Sequence, residues 1–130
     1  MSRLKGKTIM VTGGASGIGR AAALCCGRDG ATVLVVDLEE KGLNQTVAGL
    51  EASGGRATGS TVDVQDEGQV KALFEEMVGS SGKLDGLVNA AGILEGALVP
   101  VDDFEEMTWD RVIDINLKGS FLVSKYAVPL

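Results

Sequence analysis

The chain predicts an α/β fold, a doubly wound parallel sheet of about four strands in the spatial order 3-2-1-4. Three observations carry this. Short apolar runs rich in β-branched residues alternate with segments of helical pattern along the chain, the order that builds parallel strands joined by right-handed crossovers. The run Thr32-Val33-Leu34-Val35-Val36 is apolar without alternation, as a strand covered on both faces must be. A glycine-rich stretch, TGGASGIG at 12–19, lies where the first strand should hand over to the first helix.

The elements follow in turn. Thr8-Ile9-Met10-Val11 predicts the first strand, and residues 18–29 after the glycine turn the first helix. Thr32–Val36 is the second strand. Residues 39–52 form the second helix, closed by Ser53-Gly54-Gly55, a plausible C-cap. A weaker run from Thr58 to Val64 predicts the third strand. Asp66 can cap a helix over 67–79, with Gln69 three residues on as its capping-box partner. Leu84 to Asn89 is the fourth strand. A last helix begins near Thr108, with Pro129 as its kink or end. In that helix Trp109, Val112, Ile113, Leu117 and Phe121 form an apolar stripe expected to face the core.

Bulk properties bound the function. The 130 residues fit one domain with a real core. A net charge of −6 without a basic run argues against nucleic acid as a partner. The absence of histidine removes imidazole as a general base and as a metal ligand, and no metal is expected. Cys25 and Cys26 are adjacent and lack CxxC spacing, so they read as small residues in or near a helix core. A reducing, cytoplasmic setting follows. The first residues have too short an apolar run for a signal peptide, and no stretch has the length of a membrane span.

The glycine turn carries the first chemical expectation. Gly13 stands where a side chain would obstruct the turn, Gly17 where backbone can approach a ligand, and Gly19 where the helix packs on the strand. Amides from Ser16 to Gly19 would then face outward at the positive end of a helix dipole, where a pyrophosphate fits. The spacing is one residue longer in its first gap than the usual dinucleotide fingerprint, and a purely structural turn remains an alternative. Asp37 ends the second strand 18 residues after Gly19 (37 − 19), where a dinucleotide site places the acid for the adenosine ribose. Its plain alternative is a strand-end carboxylate facing water. An acid there would repel the extra phosphate of NADP, which favours NAD.

With these residues in hand, the sequence resembles the short-chain dehydrogenases/reductases, whose cofactor half is a Rossmann-type sheet. The resemblance is carried by residues 12–19, by Asp63-Val64 after the third strand, by Asn89-Ala90-Ala91-Gly92 after the fourth, and by Asn116 within Asp114-Ile115-Asn116-Leu117. It implies a dinucleotide held by Gly13, Ser16, Gly17, Ile18, Gly19, Asp37 and Leu38, with Asp63 and Val64 near the adenine. Asn89, Ala90 and Gly92 would steady the central sheet beside the cofactor. Ser16 stands where NADP users commonly carry a basic residue, in agreement with Asp37. Asn116 would be the catalytic-site asparagine that holds a water in the family's proton relay. Read without the family, it is an amide bonded to backbone.

The resemblance also implies a Tyr-x-x-x-Lys pair and an upstream serine, because hydride transfer needs a proton donor at the substrate oxygen. The one tyrosine is Tyr126, and the residue four further on is Leu130. Residues 1–130 therefore read as an NAD-binding domain without the family's catalytic and substrate segments. They are expected to be inactive alone and to belong to an oxidoreductase acting on a small alcohol/carbonyl pair, as a homo-oligomer. The alternative is a non-catalytic dinucleotide-binding or regulatory module. Nucleotide-sugar epimerases and methyltransferases also use glycine turns, but Asn89-Ala90-Ala91-Gly92 and the glycine spacing count against both.

Overall fold

The structure, a computed structural model, describes residues 2–80 and 82–130. Four parallel strands, β1 (Thr8–Thr12), β2 (Thr32–Asp37), β3 (Arg56–Thr61) and β4 (Gly86–Asn89), lie in the order β3-β2-β1-β4. Helices α1 (Gly17–Arg28), α2 (Glu40–Ala52) and α3 (Glu67–Ser80) make the crossovers. After β4 a loop with one 3-10 turn (Val101–Asp103) leads into a rod made of α4 (Glu106–Val112), a π-helical segment (Ile113–Lys118) and α5 (Gly119–Ala127). The predicted fold class and strand order are those observed.

The pleat of the central strands divides the core. Ile9, Val11, Val33 and Val35 point to one face and pack with Ala23, Leu43 and Leu50 from α1 and α2. Met10 and Val36 point to the other, against Val70, Phe74 and Met77 of α3 and Leu122, Val123 and Ala127 of α5. Both faces of β1 and β2 are thus covered, which is why these strands read as unbroken apolar runs. Burying one such side chain fully stabilises the fold by ~1.5–3 kcal/mol.

Helix ends follow the expected chemistry, with one change. Ser53 ends α2, Gly54 takes a φ of +82°, and Gly55 N–H donates to Leu50 O. Gln69 N–H donates to Asp66 Oδ1 at 3.1 Å, so Asp66 caps α3. Gln69 Oε1 does not complete the box on Asp66. It accepts from Asp63 N–H at 2.9 Å instead, tying the cap to the loop after β3.

Three further expectations are corrected. β3 covers Arg56–Thr61 and not Thr58 to Val64, because it is a largely exposed edge strand without an apolar run, whose partners are fixed by register with β2. Val62 and Val64 leave the strand and turn into the core below α3. β4 begins at Gly86 and not Leu84, since the Asp85 side chain accepts from Thr8 N–H and the Asp85 N–H donates to Thr8 O at the start of β1.

The third correction concerns the rod, which starts at Glu106 and in which Trp109, Leu117 and Phe121 of the predicted stripe face outward while Val112 and Ile113 are half-buried. Trp109, Leu117 and Phe121 are 59%, 64% and 60% exposed. The inward residues are Ile115, Gly119, Leu122, Val123 and Ala127. The π turn widens the helix by one residue per turn and so rotates the residues after it relative to a regular helix. Of the cysteines, Cys26 packs against the α1/α2 core, while Cys25 is exposed. Burial pushes the Cys26 thiol pKa up. Among the described residues, no helix is long and apolar enough to cross a membrane.

Candidate functional site

At the carboxyl ends of the strands the chain leaves a cleft of about 510 Å³. The β1–α1 turn forms one wall. Gly13 has a φ of +68°, and a Cβ on it would lie 2.5 Å from Ala90 O, so the turn rests directly on the backbone after β4. A Cβ on Gly19 would fall on the Gly13 carbonyl. Gly17 has a φ of +55° and open space in front of it. The geometry therefore separates a tightly packed back of the turn from an open front. Ser16 begins α1 without a side-chain cap, and its hydroxyl does not compete for the first-turn amides. Ile18 projects into solvent, 83% exposed.

Asp37 forms the next part of the wall. Its Oδ2 accepts from Ala15 N–H at 2.9 Å and its Oδ1 from Glu39 N–H at 3.0 Å. The carboxylate is thereby fixed in orientation, and each oxygen keeps a lone pair for another donor. Leu38 beside it is 61% exposed. Across the cleft, Asp63 Oδ1 accepts from Gln65 N–H at 3.0 Å and Gln65 Nε2 at 3.2 Å. Among the described residues, no lysine or arginine lines the cleft.

Of the residues singled out in the sequence, Gly13, Ser16, Gly17, Ile18, Gly19, Asp37, Leu38, Asp63, Val64, Ala90 and Gly92 line this one cleft. Asn89 and Asn116 stand outside its lining. Asn89 Oδ1 accepts from Thr12 Oγ1 at 2.7 Å, and Thr12 Oγ1 accepts from Ala91 N–H at 3.2 Å. Asn116, in the π turn, grips the loop after β4: Oδ1 accepts from Ile93 N–H at 2.8 Å and Nδ2 donates to Ile93 O at 2.9 Å. Its own carbonyl accepts from Ser120 Oγ at 2.7 Å. The plain reading of Asn116 as an amide bonded to backbone describes these contacts.

The cleft also uses Val36, Val62, Gln65, Ile93 and Ile115, and depends on Thr12. Apolar residues at strand ends look like any core residue in a sequence, and Thr12 was legible only as a motif letter. Tyr126 lies elsewhere. Its hydroxyl donates to Glu67 Oε1 at 2.9 Å, Lys125 Nζ holds the same oxygen at 2.6 Å, and its ring stacks on Phe74. The hydrogen bond to Glu67 pushes the phenol pKa above its ordinary value, the opposite of what an activated proton donor needs. The bonds from Lys125 and Tyr126 hold the Glu67 carboxyl below its ordinary range. Among the described residues, no three His, Cys, Asp or Glu side chains are grouped to hold a metal ion.

Comparison with known proteins points one way. The family described as short chain dehydrogenase matches residues 7–130. A 3beta-hydroxysteroid dehydrogenase of Mediterraneibacter gnavus is 42% identical over 100% of this chain and 47% of its own length. A cyclopentanol dehydrogenase of Comamonas testosteroni is 37% identical over 98% of this chain and 50% of its own. Among solved structures, a short chain dehydrogenase from Mycobacterium smegmatis superposes with a TM-score of 0.91 at 35% identity, covering 99% of this chain and 53% of that one. The chain spans about half the length of the curated relatives it matches.

Proposed function

The chain belongs to the short-chain dehydrogenase family, and from that premise we propose that residues 1–130 are the NAD-binding domain of an oxidoreductase acting on a small alcohol/carbonyl pair. The observation that carries this reading is the convergence of the open glycine turn and the oriented Asp37 carboxylate on one cleft. The residues fit the cofactor. The uncapped start of α1 offers amides and a positive dipole end to a pyrophosphate. Asp37 offers lone pairs to ribose hydroxyls, and exposed Ile18 and Leu38 offer apolar surface to the rings. Bound there, NAD would supply the hydride acceptor.

With carboxylates at Asp37 and Asp63 and no cation in the lining, the cleft disfavours a further phosphate on the ribose. Asn116 is assigned to the catalytic side through the loop that it holds at Ile93. No group among residues 1–130 is assigned to hand a proton to substrate: the chain has no histidine, and Tyr126 is tied to Glu67. The outward residues Trp109, Leu117 and Phe121 support self-association as a homo-oligomer. Free Cys25 and Cys26 suit a reducing, cytoplasmic compartment.

The test is a titration of the purified protein with NADH and NADPH, followed by nicotinamide fluorescence. NADH should bind more tightly, and Asp37→Ser should narrow the difference. Tighter binding of NADPH by the unaltered protein would overturn the assignment of Asp37. Sedimentation as a monomer at high concentration would overturn the assembly.

A further inference from the structure

Behind the open glycine turn lies a brace that none of the motif residues explains. Arg20, on the first turn of α1, directs its guanidinium backward to Ala15 O and, at 3.5 Å, to Gly42 O. Its Nε donates to Thr46 Oγ1 at 3.1 Å. Thr46 lies on α2, is 1% exposed, and donates its hydroxyl to Gly14 O at 2.8 Å. Gly14 N–H in turn donates to Val36 O, and Ala15 N–H to Asp37 Oδ2. All four backbone polar groups of Gly14 and Ala15 are therefore held, two by the Arg20–Thr46 pair and two by β2.

The Ala15 residue is the link. Its N–H orients the carboxylate that walls the cleft, and its carbonyl faces a cation. Hydrogen bonds in a chain polarise one another, and partners in one network do not contribute independently. No hydrogen bond or ion pair joins Arg20 to Asp37, and Arg20 does not line the cleft; the hydrogen-bonded route from Arg20 to the Asp37 carboxylate runs through Ala15. The α2 contact is close enough that a Cβ on Gly42 would lie 2.5 Å from Ala15 O, which leaves the turn no room to shift toward α2.

We propose that Arg20 and Thr46 are positioning residues for the dinucleotide, which fix the Gly14–Ala15 segment and through it the orientation of Asp37 toward the adenosine ribose. The proposal rests on the NAD reading of the cleft and adds to it two residues that touch no cofactor. It makes Arg20 and Asp37 energetically coupled in ligand binding although no hydrogen bond or ion pair joins them.

The experiment is a double-mutant cycle on the purified protein, with NADH and ADP-ribose as probes and the thermal midpoint of the free protein measured for every variant. Arg20→Ala should weaken both probes ~10-fold, the scale of one lost charge-assisted hydrogen bond. In an Asp37→Ala background the same change should weaken them less than ~3-fold, because the group being positioned is gone. Thr46→Val should act in the same direction, and Arg20→Lys should restore binding only in part, since an ammonium cannot span the same acceptors. If Arg20→Ala lowers the thermal midpoint and weakens binding by an equal factor in both backgrounds, Arg20 is merely structural and the proposal is overturned. If the unaltered protein binds neither NADH nor ADP-ribose, the NAD reading itself falls, and this proposal with it. If binding is intact and only the coupling is absent, the NAD reading stands and the positioning role does not.

Discussion

The glycine turn and the terminal rod are built on opposite terms. The turn from Gly13 to Gly19 is held by backbone: positive φ at Gly13 and Gly17, contacts that admit no Cβ at Gly13 and Gly19, and hydrogen bonds to Asp37, Arg20 and Thr46. The rod from Glu106 to Ala127 is held by side chains, and only on one face. Leu122 and Val123 are 3% and 1% exposed, while their neighbour Phe121 is 60% exposed. A backbone constraint names its residue, because only glycine tolerates the conformation. A packed face does not, because two stripes of a helix can be equally apolar and only one finds the core.

The comparison can be broken most strongly at the rod. Leu122→Ala should destabilise the fold by ~2–5 kcal/mol, as a buried leucine leaving a cavity does. Phe121→Ala should change unfolding free energy by less than ~0.5 kcal/mol in the monomer. Urea denaturation of the two variants checks this, and equal losses would mean that the two faces are not distinct. At the turn, Gly19→Ala should cost ~1–3 kcal/mol, since the new methyl must displace the Gly13 carbonyl. Gly17→Ala, with open space before it, meets only the backbone penalty of ~1–2 kcal/mol. Denaturant titrations in which Gly17→Ala is the more damaging would reverse the division between packed back and open front.

Between the two regions stands Asn116, which joins the rod to the loop after β4 through both polar atoms of its amide. Asn116→Ala should cost ~1–2 kcal/mol in unfolding free energy, and should speed hydrogen exchange at the Ile93 amide above that of the β1 amides. Unchanged exchange at Ile93 would show that the loop is held by other means.

The smallest expected effect is at the far end of the sheet. The Thr8 N–H, with Lys83 and Lys7, holds the Asp85 carboxyl at about 2 rather than 3.8. A carboxyl depressed in the folded state adds stability that is present above its ordinary range and is lost as pH falls from about 4 toward 2. Asp85→Asn should flatten that part of the stability profile. An unaltered slope in acid unfolding of the variant would show that Asp85 contributes nothing there.

Much of the fold was legible because its signals are local. The apolar runs at 8–11 and 32–36, the cap at Asp66, and the Ser53-Gly54-Gly55 stop each act within a few residues. The edge strand β3 is not legible at its true bounds, because Arg56-Ala57-Thr58-Gly59-Ser60-Thr61 has no apolar run and its pairing comes from register with Thr32–Asp37. In the cleft, motif letters named the lining residues, but nothing in the spacing placed Gln69 on Asp63 or Arg20 on Ala15. Those contacts join residues whose proximity depends on how α1, α2 and α3 lie on the sheet.

The sequence by itself determined the alternation of strands and helices, the glycines at the turn and the acid at the end of β2, because each follows from backbone sterics or short-range patterning. Tertiary structure alone decided which face of the rod turns inward, where the π turn shifts its register, and which side chains brace the turn from behind. Those outcomes are choices among alternatives of similar local energy, and the choice is made by packing between segments far apart in the chain.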